Sequence, residues 1–133
     1  MKLGGLDRDI DHSSLVSHLQ NAIADDLRVV ALFDADDYRL LHVADRVIEQ
    51  HGGESAFRAQ SDQLHSYINL DFIEQRLFTE LFPGLGSVTA LSTHLEQGLV
   101  IRYNFEESGI LVATDGEATS TAVIEAIETA LAA

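Results

Sequence analysis

At 133 residues with no cysteine, the chain suits one domain that buries roughly two-thirds of its unfolded surface without disulfides. Twenty-two acidic residues against eight basic ones give a net charge of −14, which leaves no basic face for phosphates and sets nucleic-acid binding aside. The missing thiols also exclude thiolate catalysis, zinc–thiolate sites and iron–sulfur clusters.

The acidic residues are spread along the whole chain, and Lys2 is the only lysine beside seven arginines. Such a surface keeps a protein hydrated where molar salt screens charge to within about 3 Å. A halophile's cytoplasmic protein is the expectation. No apolar run approaches the ~20 residues of a membrane span. The start, MKLGGLDRDIDH, has no signal-peptide core, so no membrane partner is expected.

In chain order, 1–11 reads as a polar lead-in and 12–133 as a single α+β domain. Ser13 or Ser14 caps a helix on which Leu15, Val16, Leu19, Ala22 and Ile23 recur at helical spacing. Val29–Phe33 is apolar, β-branched and aromatic enough for a buried strand. The aspartate-rich turn Asp34–Asp37 returns the chain as an antiparallel strand, Tyr38–Val43. Ala44 to about Gln50 favours a helix, which His51-Gly52-Gly53 breaks.

Glu54–Ser66 resumes a helix with a weak apolar pattern of Ala56, Phe57, Ala59 and Leu64. Leu70–Phe82 is stronger, because Phe72, Ile73, Leu77, Phe78 and Leu81 make an amphipathic stripe, read as core packing. Asp71 suits its positive end and Pro83-Gly84 stops it. Three strands follow, Ser87–Leu95, Leu99–Phe105 and Gly109–Thr114, separated at hairpin-loop lengths. Leu99, Ile101, Tyr103 and Phe105 alternate with Val100, Arg102 and Asn104, the pattern of one drier and one wetter face. Asp115-Gly116 turns the chain into a last helix, Ala118–Leu131, with Val123, Ile124, Ile127 and Leu131 on one face. The sum is an antiparallel sheet of about five strands with helices packed on it.

Asp34, Asp36 and Asp37 are the weak candidates for a metal. An apolar strand ending in Asp34-Ala35-Asp36 resembles the first motif of haloacid-dehalogenase-type phosphatases. That likeness implies Asp34 as nucleophile and Asp36 as general acid beside magnesium. Asp37 and Tyr38 depart from the family's Gly and Thr/Val, Lys2 lies on the wrong side of the motif, and no later aspartate pair supplies the metal. An EF-hand fails too: Tyr38, Arg39 and Asp45 stand where the loop needs an oxygen ligand, its glycine and its bidentate glutamate. His12, His18, His42, His51, His65 and His94 lack ligand spacing, and no phosphate-binding glycine loop or serine elbow occurs. Asp34–Asp37 therefore reads as a solvated turn, with no catalytic residue and no cofactor expected.

Two resemblances remain. Asp37, Tyr38, Leu41, Val43, Asp45 and Val47 match a pattern of small haloarchaeal proteins of unknown function, while His42, Ala44 and Arg46 depart from it. The element order is similar to roadblock and longin domains, which are profilin-like. That likeness implies a non-enzymatic platform, commonly homodimeric, that binds small GTPases or scaffolds complexes; the helix Leu70–Phe82 is extra. The leading expectation is a non-catalytic interaction or regulatory module. It pairs with itself or an unidentified protein through a surface that includes Phe72, Phe78, Tyr103 and Phe105. A small-molecule sensor with a pocket between the sheet and residues 70–82 is the alternative, and a magnesium phosphatase using Asp34 and Asp36 the third reading.

Overall fold

Local signals set the first elements of the computed structural model, which describes residues 10–133. Most of the expected lead-in, 1–11, lies outside the described residues. Helix α1 (His12–Ile23) is capped by Asp11, not by Ser13 or Ser14: the Asp11 carboxylate accepts the Ser14 backbone N–H at 3.0 Å. A free carboxylate at the cap also meets the positive helix end, which a serine does not. Ala24, at φ 47°, ends the helix in a left-handed turn, and a short 3₁₀ segment (Ala24–Asp26) leads into β1.

Strand β1 (Leu27–Asp34) extends the expected run at both ends and pairs antiparallel with β2 (Tyr38–Val43), Phe33 opposite Tyr38. Helices α2 (Asp45–Gln50), α3 (Glu54–Tyr67) and α4 (Asn69–Leu81) follow. Ile68, between α3 and α4, keeps helical dihedrals, so the two are one helical run with a break at a single residue. Strands β3 (Ala90–Leu95), β4 (Gly98–Asn104) and β5 (Ser108–Thr114) and helix α5 (Ser120–Ala132) complete the chain. Ser87–Thr89, expected in a strand, lies outside β3. Thr119 caps α5 through the Ala122 N–H at 3.1 Å, so the helix starts two residues later than its apolar pattern suggests.

The five strands form one antiparallel sheet in the order β2-β1-β5-β4-β3. Pairing β1 with β5 brings the two ends of the domain together and leaves β2 and β3 as edges. Asp26 reinforces this closure, its carboxylate accepting the N–H groups of Glu117 (3.1 Å) and Ala118 (2.9 Å) just before α5. On one face α1 and α5 pack side by side over Val30, Leu32, Ile101, Ile110 and Val112, each at most 2% exposed. Alternation sends Ala31, Phe33 and Leu111 to the opposite face, where Ile68 and Phe72 meet them in a smaller cluster.

Candidate interaction surface and cavity

The carboxylate cluster is built by the β1–β2 turn. Asp34, only 6% exposed, points its Oδ1 back into the turn, where it accepts the N–H groups of Asp36 (2.8 Å) and Asp37 (2.9 Å). Asp37 Oδ1 accepts the N–H of Tyr38 at 2.8 Å, and Asp36 and Asp37 stand in solvent. These are turn-forming bonds of the kind aspartate makes with the backbone beyond it. A carboxylate oxygen holding two amides is poorly placed to attack phosphorus, and Lys2 lies outside the described residues. Among the described residues, no three His, Asp or Glu side chains converge to hold a metal ion.

The turn instead anchors α3. His65 Nε2–H donates to the Asp34 carbonyl at 2.7 Å, and the Tyr38 ring lies 5.4 Å from the His65 ring. Tyr38 O–H donates to Asp62 at 2.5 Å, and the Arg58 guanidinium sits 5.9 Å from the Tyr38 ring centre. Burial, helped by the Asp62 carboxylate, raises the Tyr38 phenol above its ordinary value. Arg58, Asp62 and His65 are one helical face of α3, and that spacing was legible in the sequence. At the other end of α3, Phe57 meets the edge of the His51 ring at 5.4 Å.

Between these two supports the helix stands off the sheet. The gap is a cavity of about 340 Å³ with a floor that includes Ala31 and Ala113 and a roof that includes Phe57, Ser61 and Leu64. The start of α4 is held to the sheet by direct contacts. Phe72 packs on Phe33 at 6.0 Å, and Arg102 Nε–H donates to Asp71 at 2.9 Å with both side chains largely buried. A wider hollow of about 810 Å³ flanks α4, where Phe72, Ile73 and Arg76 face the β1–β2 turn and Glu106–Ser108, so the structure has a hollow beside residues 70–82 as well as the cavity under α3.

The four aromatics expected on one surface are divided among three places. Phe72 is buried in the smaller cluster, because its partner Phe33 comes from a strand that the helical pattern cannot reveal. Tyr103 and Phe105 lie edge to face at 5.9 Å on the α1–α5 side, where Tyr103 O–H donates to Glu128 at 3.0 Å. Burial and then Glu128 raise the Tyr103 phenol. Phe78 is exposed and stacks on Phe82 at 5.8 Å. On the same helix Leu70, Ile73, Leu77 and Leu81 stand in solvent, as does Leu85 after it, while exposed Leu95 lines the cavity under α3. The stripe expected to enter the core buries only Phe72.

A family profile matches residues 13–132 of the chain. The chain belongs to the DUF7522 family, a domain of unknown function. No curated protein matches this DUF7522 chain in sequence. Solved structures share its fold. Myxococcus xanthus MglB superposes with a TM-score of 0.60 at 13% identity, covering 99% of this chain and 88% of that one. A roadblock/LC7 domain from Streptomyces avermitilis gives 0.63 at 13% identity, covering 93% of each chain. An MglB with a tetrameric arrangement gives 0.63 at 12% identity, covering 98% and 92%. The DUF7522 domain therefore has the roadblock/LC7 fold: a five-stranded antiparallel sheet with helices on both faces.

Proposed function

We propose that the chain is a non-catalytic interaction or regulatory module that works as a homodimer in a salt-rich cytoplasm and offers the assembled dimer to a protein partner. The observations that carry this reading are the exposed apolar side chains Leu70, Ile73, Leu77, Phe78 and Leu81 of α4 and the open edge of β3. Arg102 holds both Asp71 and Thr93, so the start of α4 and strand β3 adjoin. Monomeric proteins rarely expose contiguous apolar patches beyond a few hundred Å², and an unpaired strand edge is a template for another chain. A second copy covers both at once by a two-fold operation. The tetrameric arrangement named for one MglB supports self-association of this fold. The acidic coat supports the high-salt setting, since molar salt screens repulsion between two copies of net charge −14.

Light scattering in molar KCl is the test. A mass of about twice 14.6 kDa that collapses to the monomer in Leu77→Glu is expected. A 14.6 kDa species at every concentration would overturn the dimer.

A further inference from the structure

The cavity beneath α3 carries an inference independent of the dimer. A helix that merely failed to pack would settle onto the sheet, but α3 is propped at both ends. Phe57 and His51 hold one end; His65, Tyr38 and Asp62 hold the other, with Ile68 buried beyond them. The floor between the props is kept low by two small residues, Ala31 and Ala113. Leu64 lies on the sheet-facing side of α3 and lines this space, yet is 49% exposed, which marks the mouth.

The polar groups on the rim are already engaged by the protein. Ser61 Oγ–H donates to the Phe57 carbonyl, His51 Nδ1–H to the Val47 carbonyl, and the Arg28 guanidinium to Asp115 and Gln50. Among the described residues no free cation lines the cavity to hold an anion, and the chain's net charge repels one. Gln60 is the amide on the rim that makes no side-chain hydrogen bond among the described residues. The walls are therefore apolar, with one neutral hydrogen-bonding group at the edge.

We infer that the cavity between α3 and the sheet is a binding site for a neutral, mainly apolar small molecule with one hydroxyl or carbonyl group to meet Gln60. Its size sets the class. A cavity of about 150 Å³ accepts benzene, so 340 Å³ suits a fused bicyclic aromatic or a medium-length alkyl chain.

The test titrates 2-naphthol into the full chain in molar KCl, read by amide chemical shifts and by light scattering on the same samples. Saturable shifts confined to α3 and to the β1 and β5 residues of the floor are expected, with no change in mass. Ala113→Leu, which fills the floor, weakens that binding by about tenfold or more. Leu64→Ala, at the mouth, is the second variant and keeps the floor intact. Shifts confined to α4 and β3, or no saturation, would overturn the site. Binding that appears only as the dimer dissociates would also overturn it, because side chains of a second copy would then be the occupant. Loss of the dimer with cavity binding intact would sink only the homodimer.

Discussion

Along α1 and α5 every turn sends an apolar side chain into the sheet: Leu15, Leu19, Val123 and Ile127 are fully buried, and Ala126 and Ala130 are buried beside them. Across the sheet, α3 and α4 are no shorter, at fourteen and thirteen residues against twelve and thirteen, yet each buries a single side chain, Phe57 and Phe72. The same strands serve both faces, so the difference lies in the helices. The α1–α5 face is closed by apolar packing. The α3–α4 face is fixed at a few points by hydrogen bonds, ring contacts and one ion pair, with apolar surface left over. A sheet closed on one side is stable enough to carry the other side partly open, and the open side is where recognition has room to occur.

The largest test of this contrast compares one residue from each face. Ile127→Ala removes a fully buried side chain from the closed face and is expected to cost about 2–5 kcal/mol by denaturant unfolding. Leu64→Ala on the open face is expected to cost less than about 1 kcal/mol, since that side chain is already half in solvent. Equal losses would mean that the open face closes in solution.

The closed face was legible because its signals are local and mutually consistent. Leu15, Leu19 and Ile23 repeat at helical spacing, Leu99 and Ile101 alternate, and Glu96–Gly98 and Asp115-Gly116 mark turns. The open face was legible only in outline. The apolar pattern of α3 is weak because Arg58, Asp62 and His65 share its surface, and these residues turned out to be its anchors. Phe72 and Phe78 sit in one stripe, and no periodicity says that Phe33 receives the first while the second is left bare. The acidic turn was legible as a turn but not in its detail: Asp34 is buried and gives its oxygen to the N–H groups of Asp36 and Asp37, while only Asp36 and Asp37 are solvated. Strand order depends on the long-range pairing of β1 with β5, which no local pattern encodes.

Two positions on β5 sharpen the picture within the open face. A Cβ on Gly109 would overlap the Phe33 ring and come within 2.9 Å of Asn104 Oδ1, and that ring is backed by Phe72. Gly109→Ala is expected to cost about 1–3 kcal/mol. Ala113, two pleats along on the same face, fronts the cavity, so the larger change Ala113→Leu is expected to shift stability by less than about 1 kcal/mol. Unfolding midpoints of the pair separate a tight end of the face from a loose one; the reverse order would contradict the cavity.

The smallest effect concerns how α2, the lead into α3, is tied down. Asp115, beyond β5, accepts Arg28 at 2.9 Å and Arg46 at 2.6 Å, joining β1 and α2 through one carboxylate. Partial burial pushes this carboxyl upward, but the two guanidiniums outweigh it and hold the group below its ordinary value. A folded-state value below the unfolded one means stability that is present above the unfolded value and lost as pH falls through the folded one. All three side chains are about a quarter to two-fifths exposed, so solvent screening limits the contribution to under about 1 kcal/mol. Denaturant unfolding of the wild type and Asp115→Asn, followed from neutral pH down through the carboxylate range, should show a gap that narrows as the medium acidifies. Molar salt shrinks the gap further, because the pair is not deeply buried. A gap that stays constant with pH would mean that Asp115 holds α2 by shape and hydrogen bonding rather than by charge.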